Sequence, residues 1–279
     1  MYEAMDYEER VVWITGASSG IGEALALRMA ERGARLVLSA RNQAELERVA
    51  SACDHKGATG TLVLTLDIAD HAALKGKADQ VLEHFGDIDF LLNNAGVSQR
   101  SFCIDTAFTV YEQMFNINVL GRIALTQAVL PAMVNRGEGH IAVTASVAGK
   151  VGAPQRTGYC AAKHAVMGFF DALRTEVASD GIRVTTITPG FIRTNVAVNA
   201  LNSAGEPTGK EDPHIADGMD VGECAQAIME GFASGLPEIA VGSGFEMDLV
   251  KSRQEDPIGT FELLASLAAQ LREAQQSPS

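Results

Sequence analysis

The sequence predicts an α/β fold, a doubly wound parallel sheet built as one domain over residues 1–279. Three observations predict it. Short apolar runs alternate with helical patterns almost from end to end, as right-handed βαβ units require. The runs are continuous rather than alternating, as in strands covered on both faces. The chain of 279 residues is long enough for one large core, and no repeat, low-complexity tract or linker divides it.

The first run, Arg10–Thr15, ends in a Gly-rich turn and reads as a buried strand. A helix over Glu23–Arg32 is closed by Gly33. Arg35–Ser39 is the second strand and Gln43–Cys53 the second helix. Thr61–Leu66 is the third strand, followed by a helix from Ala72 to Phe85, and Ile88–Leu92 is the fourth. A long helical pattern covers Thr109–Asn135, with Pro131 near its end. His140–Thr144, a long helix Tyr159–Ser179 and Arg183–Ile187 continue the alternation. Gly222–Ala233 and Glu238–Val241 add a last helix and strand, and a short extension follows 242. The irregular part is Asn195–Asp220, polar, rich in Gly and Pro, and longer than ordinary loops, which predicts a lid over a substrate.

Charge narrows the function. With 22 Lys and Arg against 35 Asp and Glu the formal charge is −13, which disfavours nucleic acid and anionic membrane surfaces as partners. The beginning, MYEAMDYEER, has no basic or apolar region of a secretory signal. No run of about eighteen apolar residues stands out, so no spanning helix is expected. Cys53, Cys103, Cys160 and Cys224 are widely separated and form no metal-binding pattern, as for reduced thiols in a cytoplasmic protein.

The first strand runs into Thr15-Gly16-Ala17-Ser18-Ser19-Gly20-Ile21-Gly22, which opens a helix. Glycines there let the backbone turn tightly and bring N–H groups to a pyrophosphate at the positive end of the helix. The second strand ends Ser39-Ala40-Arg41-Asn42, without the acid that would hold a ribose 2′-hydroxyl. Arg41 can pair with a 2′-phosphate instead, so NADP is preferred to NAD. Tyr159 and Lys163 stand four apart on one helix face, where an ammonium favours the phenolate. Ser146 follows the fifth strand, where ligands of such sheets bind.

Together these features resemble the short-chain dehydrogenase/reductase family, with a Rossmann-type fold. The likeness covers Glu9 to Gly242, and its motifs come in the family's order: TGASSGIG at Thr15–Gly22, Asp67, NNAG at Asn93–Gly96, Asn118 with Gly121, Ser146, Tyr159 with Lys163, and Pro189-Gly190 with Thr194. The resemblance implies hydride transfer between a nicotinamide and a carbonyl/alcohol pair. Tyr159 would be the acid or base, Ser146 would polarise the carbonyl, Lys163 would hold the ribose and lower the tyrosine pKa, and Asn118 would hold a relay water. Cofactor contacts are implied for Gly16, Ser18, Ser19, Gly20, Ile21, Gly22, Arg41, Asp67, Ile68, Asn94, Ala95, Gly96, Tyr159, Lys163, Pro189, Gly190, Ile192 and Thr194. Asp67 would bond the adenine, Asn94 and Gly96 would line the adenine-ribose region, and Thr194 would take the carboxamide. Some NADP-preferring members carry a base before the second motif glycine, where this chain has Ser19. A homodimer or homotetramer is also implied, through the two long helices and the apolar Phe169, Phe170, Leu173 and Val177.

Other residues read as structural. Asn93 braces the sheet, Met114, Met133 and Met167 pack the core, and His140 and His164 lie off the chemistry. Glu211, Asp212, Asp217 and Asp220 read as a solvated acidic lid face. Val97, Ser98, Val147, Val151, Pro154, Phe191 and Ile192 suggest an apolar substrate wall, with Arg100, Arg156 and Arg193 open as carboxylate clamps. Two other functions compete. A sugar-nucleotide epimerase or dehydratase would carry a longer C-terminal substrate domain. A non-catalytic dinucleotide sensor would be expected to have lost one of Asn118, Ser146, Tyr159 or Lys163, and all four are present.

Overall fold

Val11–Thr15 is buried at all five positions, with Val12 and Ile14 turned into one apolar layer and Val11 and Trp13 into the other. A central strand between two helical layers requires this pattern. The computed structural model describes residues 6–276. Residues 1–5, half of the stretch read for a signal, and 277–279 lie outside the described residues.

In chain order, β1 (Val11–Thr15) leads to α1 (Gly20–Ala30), β2 (Arg35–Ser39), α2 (Gln43–Lys56), β3 (Gly60–Val63), α3 (Leu74–Phe85) and β4 (Phe90–Asn93). Then come α4 (Phe108–Phe115), α5 (Gly121–Arg136), β5 (Gly139–Thr144), α6 (Thr157–Glu176) and β6 (Ile182–Pro189). The short α7 (Pro213–Ala216), α8 (Val221–Ala233), β7 (Glu238–Val241), α9 (Phe245–Glu255) and α10 (Pro257–Gln276) complete it. The strands form one seven-stranded sheet in the order β3-β2-β1-β4-β5-β6-β7, parallel at every pairing. Helices α1, α2 and α8 cover one face, and α3, α5 and α6 the other. The expected doubly wound architecture is the one found.

Local signals set the boundaries. The Asn42 side-chain Oδ1 accepts from Glu45 N at 3.2 Å and caps α2, while Gly57 at φ 111° closes it. Asp220 caps α8 through Gly222 N and Glu223 N. The expected third strand, Thr61–Leu66, is paired in the ladder only to Val63. Leu64 N and Leu66 N still donate to Leu38 O and Ala40 O.

Several expectations need correction. The helix predicted over Thr109–Asn135 contains a π turn at Asn116–Leu120, directly before a close approach in which a Cβ on Gly121 would lie 2.2 Å from Ile68 O. The stretch Phe108–Arg136, 29 residues with an 18-residue window at a mean hydropathy of 1.5, is long and apolar enough to cross a membrane by composition. Counting uninterrupted apolar runs misses it. Its apolar content has a place in the core, where Leu125, Val129 and Met133 pack on the sheet and Arg122 is fully buried. Phe170, Leu173 and Val177 are buried within the subunit, and only Phe169 of that group is partly exposed, so they give no excess apolar surface. The extension beyond 242 is built of two helices. Leu249 of α9 and Leu264 of α10 pack on Val151.

Candidate active site

Strands β1 and β4 are neighbours, yet the chain leaves them towards opposite edges of the sheet. A crevice opens at such a switch point, beyond the carboxyl ends of the strands. Here it is a cavity of about 600 Å³. Gly16 (φ +67°) and Gly20 (φ +58°) turn the chain out of β1, and a Cβ on Gly16 would come within 2.8 Å of Ala95 Cα. Ser19 precedes α1 without a side-chain cap, leaving the positive end of the helix open to the cavity. Ser18, Ser19, Gly20, Ile21, Arg41, Asp67, Ile68, Ala95, Gly96, Pro189, Gly190, Ile192 and Thr194 all line the same space. A cradle that side chains would fill, ending at a helix N-terminus, fits a dinucleotide.

Of two further expected contacts, one borders the cavity and one does not. Gly22 does not border the cavity; a Cβ there would lie 2.3 Å from Gly16 O, so its smallness lets α1 meet the turn. Asn94 borders it, but its amide is engaged in bracing strand ends. Its Nδ2 donates to Thr15 O (3.1 Å) and Gly16 O (3.3 Å), and its Oδ1 accepts from Thr144 Oγ1 (3.1 Å). Asn93 donates to Thr126 Oγ1 at 3.0 Å, the bracing role the sequence suggested.

Ser146, Tyr159 and Lys163 converge on the cavity from β5 and α6. Burial raises the Tyr159 phenol above its ordinary pKa, opposed by a hydrogen bond with Ser146 and then by the charges of Arg156 and Arg122. Lys163 donates to Thr144 O at 2.8 Å, and its Nζ lies 5.5 Å from the centre of the Tyr159 ring. Burial, with Arg122 nearby, holds that ammonium well below the ordinary lysine pKa. The charges of Arg156 and Arg122 thus favour the phenolate in addition to any contribution from Lys163. Asn118 is buried and does not border the cavity. Its side chain accepts from Val97 N (3.1 Å) and donates to Val97 O (2.9 Å), clamping the loop after β4.

Four positions escaped sequence reading because their partners are distant in the chain. Gln99 is fully buried and accepts from Gly158 N (2.7 Å) and Tyr159 N (3.3 Å). It caps α6 where Arg156 supplies no cap. Arg122 donates to Ala95 O at 2.7 and 3.0 Å and to Thr144 O at 2.7 Å, tying two strand ends together. Burial lowers its guanidinium to about 10. Glu246 of α9 accepts from Phe191 N at 3.0 Å and holds the loop after β6. Asp212, read as part of a solvated face, has a side chain only 11% exposed, ion-paired with Arg100 and Arg156.

The substrate wall is partly as expected. Val97, Ser98, Val147, Phe191 and Ile192 border the cavity, joined by Leu201, Pro207 and Ile215 of the 195–220 segment. Val151 and Pro154 do not border it, since Val151 is taken up beneath α9 and α10. Arg193 lies outside and pairs with Asp220 at 3.1 Å. Bridges Gln99↔Leu201 and Ile192↔Met219 tie both ends of the segment to the body.

A doubly wound sheet with a dinucleotide cradle, and a serine, a tyrosine and a lysine meeting beside it, define an oxidoreductase of the dehydrogenase/reductase class. The chain belongs to the short chain dehydrogenase family, whose pattern matches residues 10–204. It is 42% identical to the human dehydrogenase/reductase SDR family member 7 over 235 residues, covering 83% of this chain and 69% of that protein. With the bovine dehydrogenase/reductase SDR family member 7B it shares 38% over 272 residues, covering 96% and 84%. Its fold resembles a short chain dehydrogenase/reductase from Burkholderia phymatum, solved in complex with NAD, with a TM-score of 0.79, 25% identity and coverage of 99% and 98%.

Proposed function

We propose that this protein reduces a ketone or aldehyde to an alcohol, or the reverse, with NADP(H). The observation that carries this reading is the meeting of Ser146, Tyr159 and Lys163 in the cavity that Gly16 and Gly20 open. When bound, the nicotinamide supplies or accepts the hydride. Ser146 orients and polarises the substrate oxygen. Tyr159 gives that oxygen a proton in reduction and takes it in oxidation. Lys163, anchored on Thr144 O, holds the nicotinamide ribose.

The raised phenol pKa sets the pH response. Reduction needs the protonated phenol, so it should persist across neutral pH and fall only in alkali. Oxidation needs the phenolate, so it should rise with pH through the alkaline range.

The relative from Burkholderia phymatum holds NAD, so the choice of cofactor rests on β2 of this chain. It ends at Ser39, and the exposed Arg41 follows where an acid would repel a 2′-phosphate. We expect NADPH to bind more tightly than NADH. Arg41→Ala should weaken NADPH selectively, by about 10- to 150-fold for a lost charge-assisted contact. Equal losses for both cofactors, or wild-type preference for NADH, would contradict the NADP assignment. A panel of ketones and aldehydes followed at the nicotinamide absorbance tests the reaction class.

The 195–220 segment acts in this reading as a lid, because Leu201, Pro207 and Ile215 already stand over the cavity. Hydrogen exchange across 195–220 should slow when NADP and a substrate bind. Identical protection with and without ligands would rule the lid out.

A further inference from the structure

Arg100 and Arg156 reach the active-site cavity from separate parts of the chain. Arg100 follows β4 and is held by its own N–H on Leu201 O at 2.8 Å. Arg156 stands before α6, its guanidinium 5.6 Å from the centre of the Phe191 ring. Their side chains are only 23% and 13% exposed, and one carboxylate, Asp212, faces both. Asp212 does not border the main cavity; it lines a smaller space of about 210 Å³ behind it.

Two guanidinium groups and one carboxylate leave an excess of one positive charge in a half-buried wall. Burial, with Arg156 alongside, lowers Arg100 to about 9, and burial also lowers Arg156. Both cations are thus partly stripped of water, a cost that a second anion would offset. Each guanidinium presents a planar fork of five donors suited to an oxyanion. Arg156 precedes Tyr159 by three residues, about one helical turn, and its charge acts on the phenol. An anion on this wall therefore lies a few bonds from a carbonyl poised at Tyr159.

We propose that Arg100 and Arg156 form an oxyanion subsite, latched by Asp212 when empty, so that the enzyme takes carbonyl compounds carrying a carboxylate or phosphate a few carbons from the reacting carbon. This rests on the carbonyl-reductase reading for the chemistry, but not for the binding. An arriving oxyanion takes over the guanidinium forks from Asp212, and the 212 region of the lid is released from one of its ties. A purely structural ion pair pinning the lid would give no discrimination between charged and neutral substrates.

The test compares 5-oxohexanoate with its methyl ester, and 4-oxopentyl phosphate with its parent alcohol, as substrates with NADPH. Wild type should favour the anion of a pair at least tenfold in kcat/KM, and the pair with the larger ratio identifies the oxyanion. In R100Q/R156Q the ratio should fall to near one, whatever happens to the absolute rates. A ratio near one in wild type for both pairs, or one unchanged in the double variant, overturns the proposal. If no ketone is turned over, the reaction class fails, and calorimetry with hexanoate and pentyl phosphate judges the subsite alone. Wild type should bind one of these anions more tightly than methyl hexanoate, and the double variant should lose that advantage; equal affinities overturn it. Asp212→Asn covers the case in which the double variant does not fold. Removing the competing carboxylate should tighten the preferred anion severalfold, and unchanged affinity overturns the latch and the subsite with it.

Discussion

On the β1–β2 side of the cleft the chain offers backbone and small side chains, whereas on the side covered by 195–220 it offers buried charge. Gly16, Gly20 and Gly22 act through what they lack, since a Cβ at any of them would meet Ala95, Thr194 or Gly16 within 3.2 Å. Arg100, Arg156 and Asp212 act through paired charge held 11–23% exposed. The first construction suits a pyrophosphate, which NAD and NADP share, because N–H groups at a helix end cost no reorganisation. The second suits discrimination, because partly dehydrated charges penalise a substrate that leaves them unpaired. Between them stands α6, which carries Tyr159 and Lys163 and is held at its start by Gln99.

The largest effect should come from the residue where the two sides meet. Tyr159→Phe removes the transferable proton alone, so kcat/KM should fall about 10²- to 10⁴-fold. NADPH affinity, measured by fluorescence titration, should stay near wild type. Residual activity above a tenth would place the proton elsewhere and dissolve the division of labour.

A smaller effect isolates the cofactor side. Gly22→Ala sets a methyl group 2.3 Å from Gly16 O, and overpacking of this kind costs about 1–3 kcal/mol. We expect a lower melting temperature and NADPH binding weakened by tenfold or more. Wild-type values for both would mean that the turn tolerates movement and is not a rigid cradle.

The smallest effect concerns the joint between the sides. Gln99→Ala deletes the acceptor for Gly158 N and Tyr159 N, a cap loss of about 0.5–2 kcal/mol. Turnover should fall severalfold as Tyr159 loosens, with KM for NADPH little changed. A rise in that KM without loss of turnover would make Gln99 part of the cofactor side.

Much of the cofactor side was legible in the sequence because it lies on consecutive residues. Thr15–Gly22 and Tyr159–Lys163 each show their spacing within a few residues, and β-α alternation places the first at a strand end and the second on a helix without further information. Their order along the chain then identified the family. Even here, reading stopped at residue identity. It did not show that Gly22 serves packing, or that the Asn94 and Asn118 amides are engaged with backbone.

The substrate side was scarcely legible. Asp212 looked like one of four exposed acids, and Arg100 and Arg156 like three open candidates with Arg193. Their meeting depends on how residues after β4, before α6 and after β6 fold across one another, which no local periodicity records. Arg122 was equally hidden, since an arginine in an apolar helix is explained only by the carbonyls of Ala95 and Thr144.

The sequence by itself determined the sheet, the strand-end position of Ser146, the shared helix face of Tyr159 and Lys163, and the glycine turn, because these follow from local period, steric freedom and chain order. Only the tertiary structure decided which charges are buried, which cations act on the Tyr159 phenol, and what closes the substrate end. The physical reason is range: backbone conformation is set by neighbours a few residues away, whereas desolvation and ion pairing depend on whatever the folded chain brings alongside.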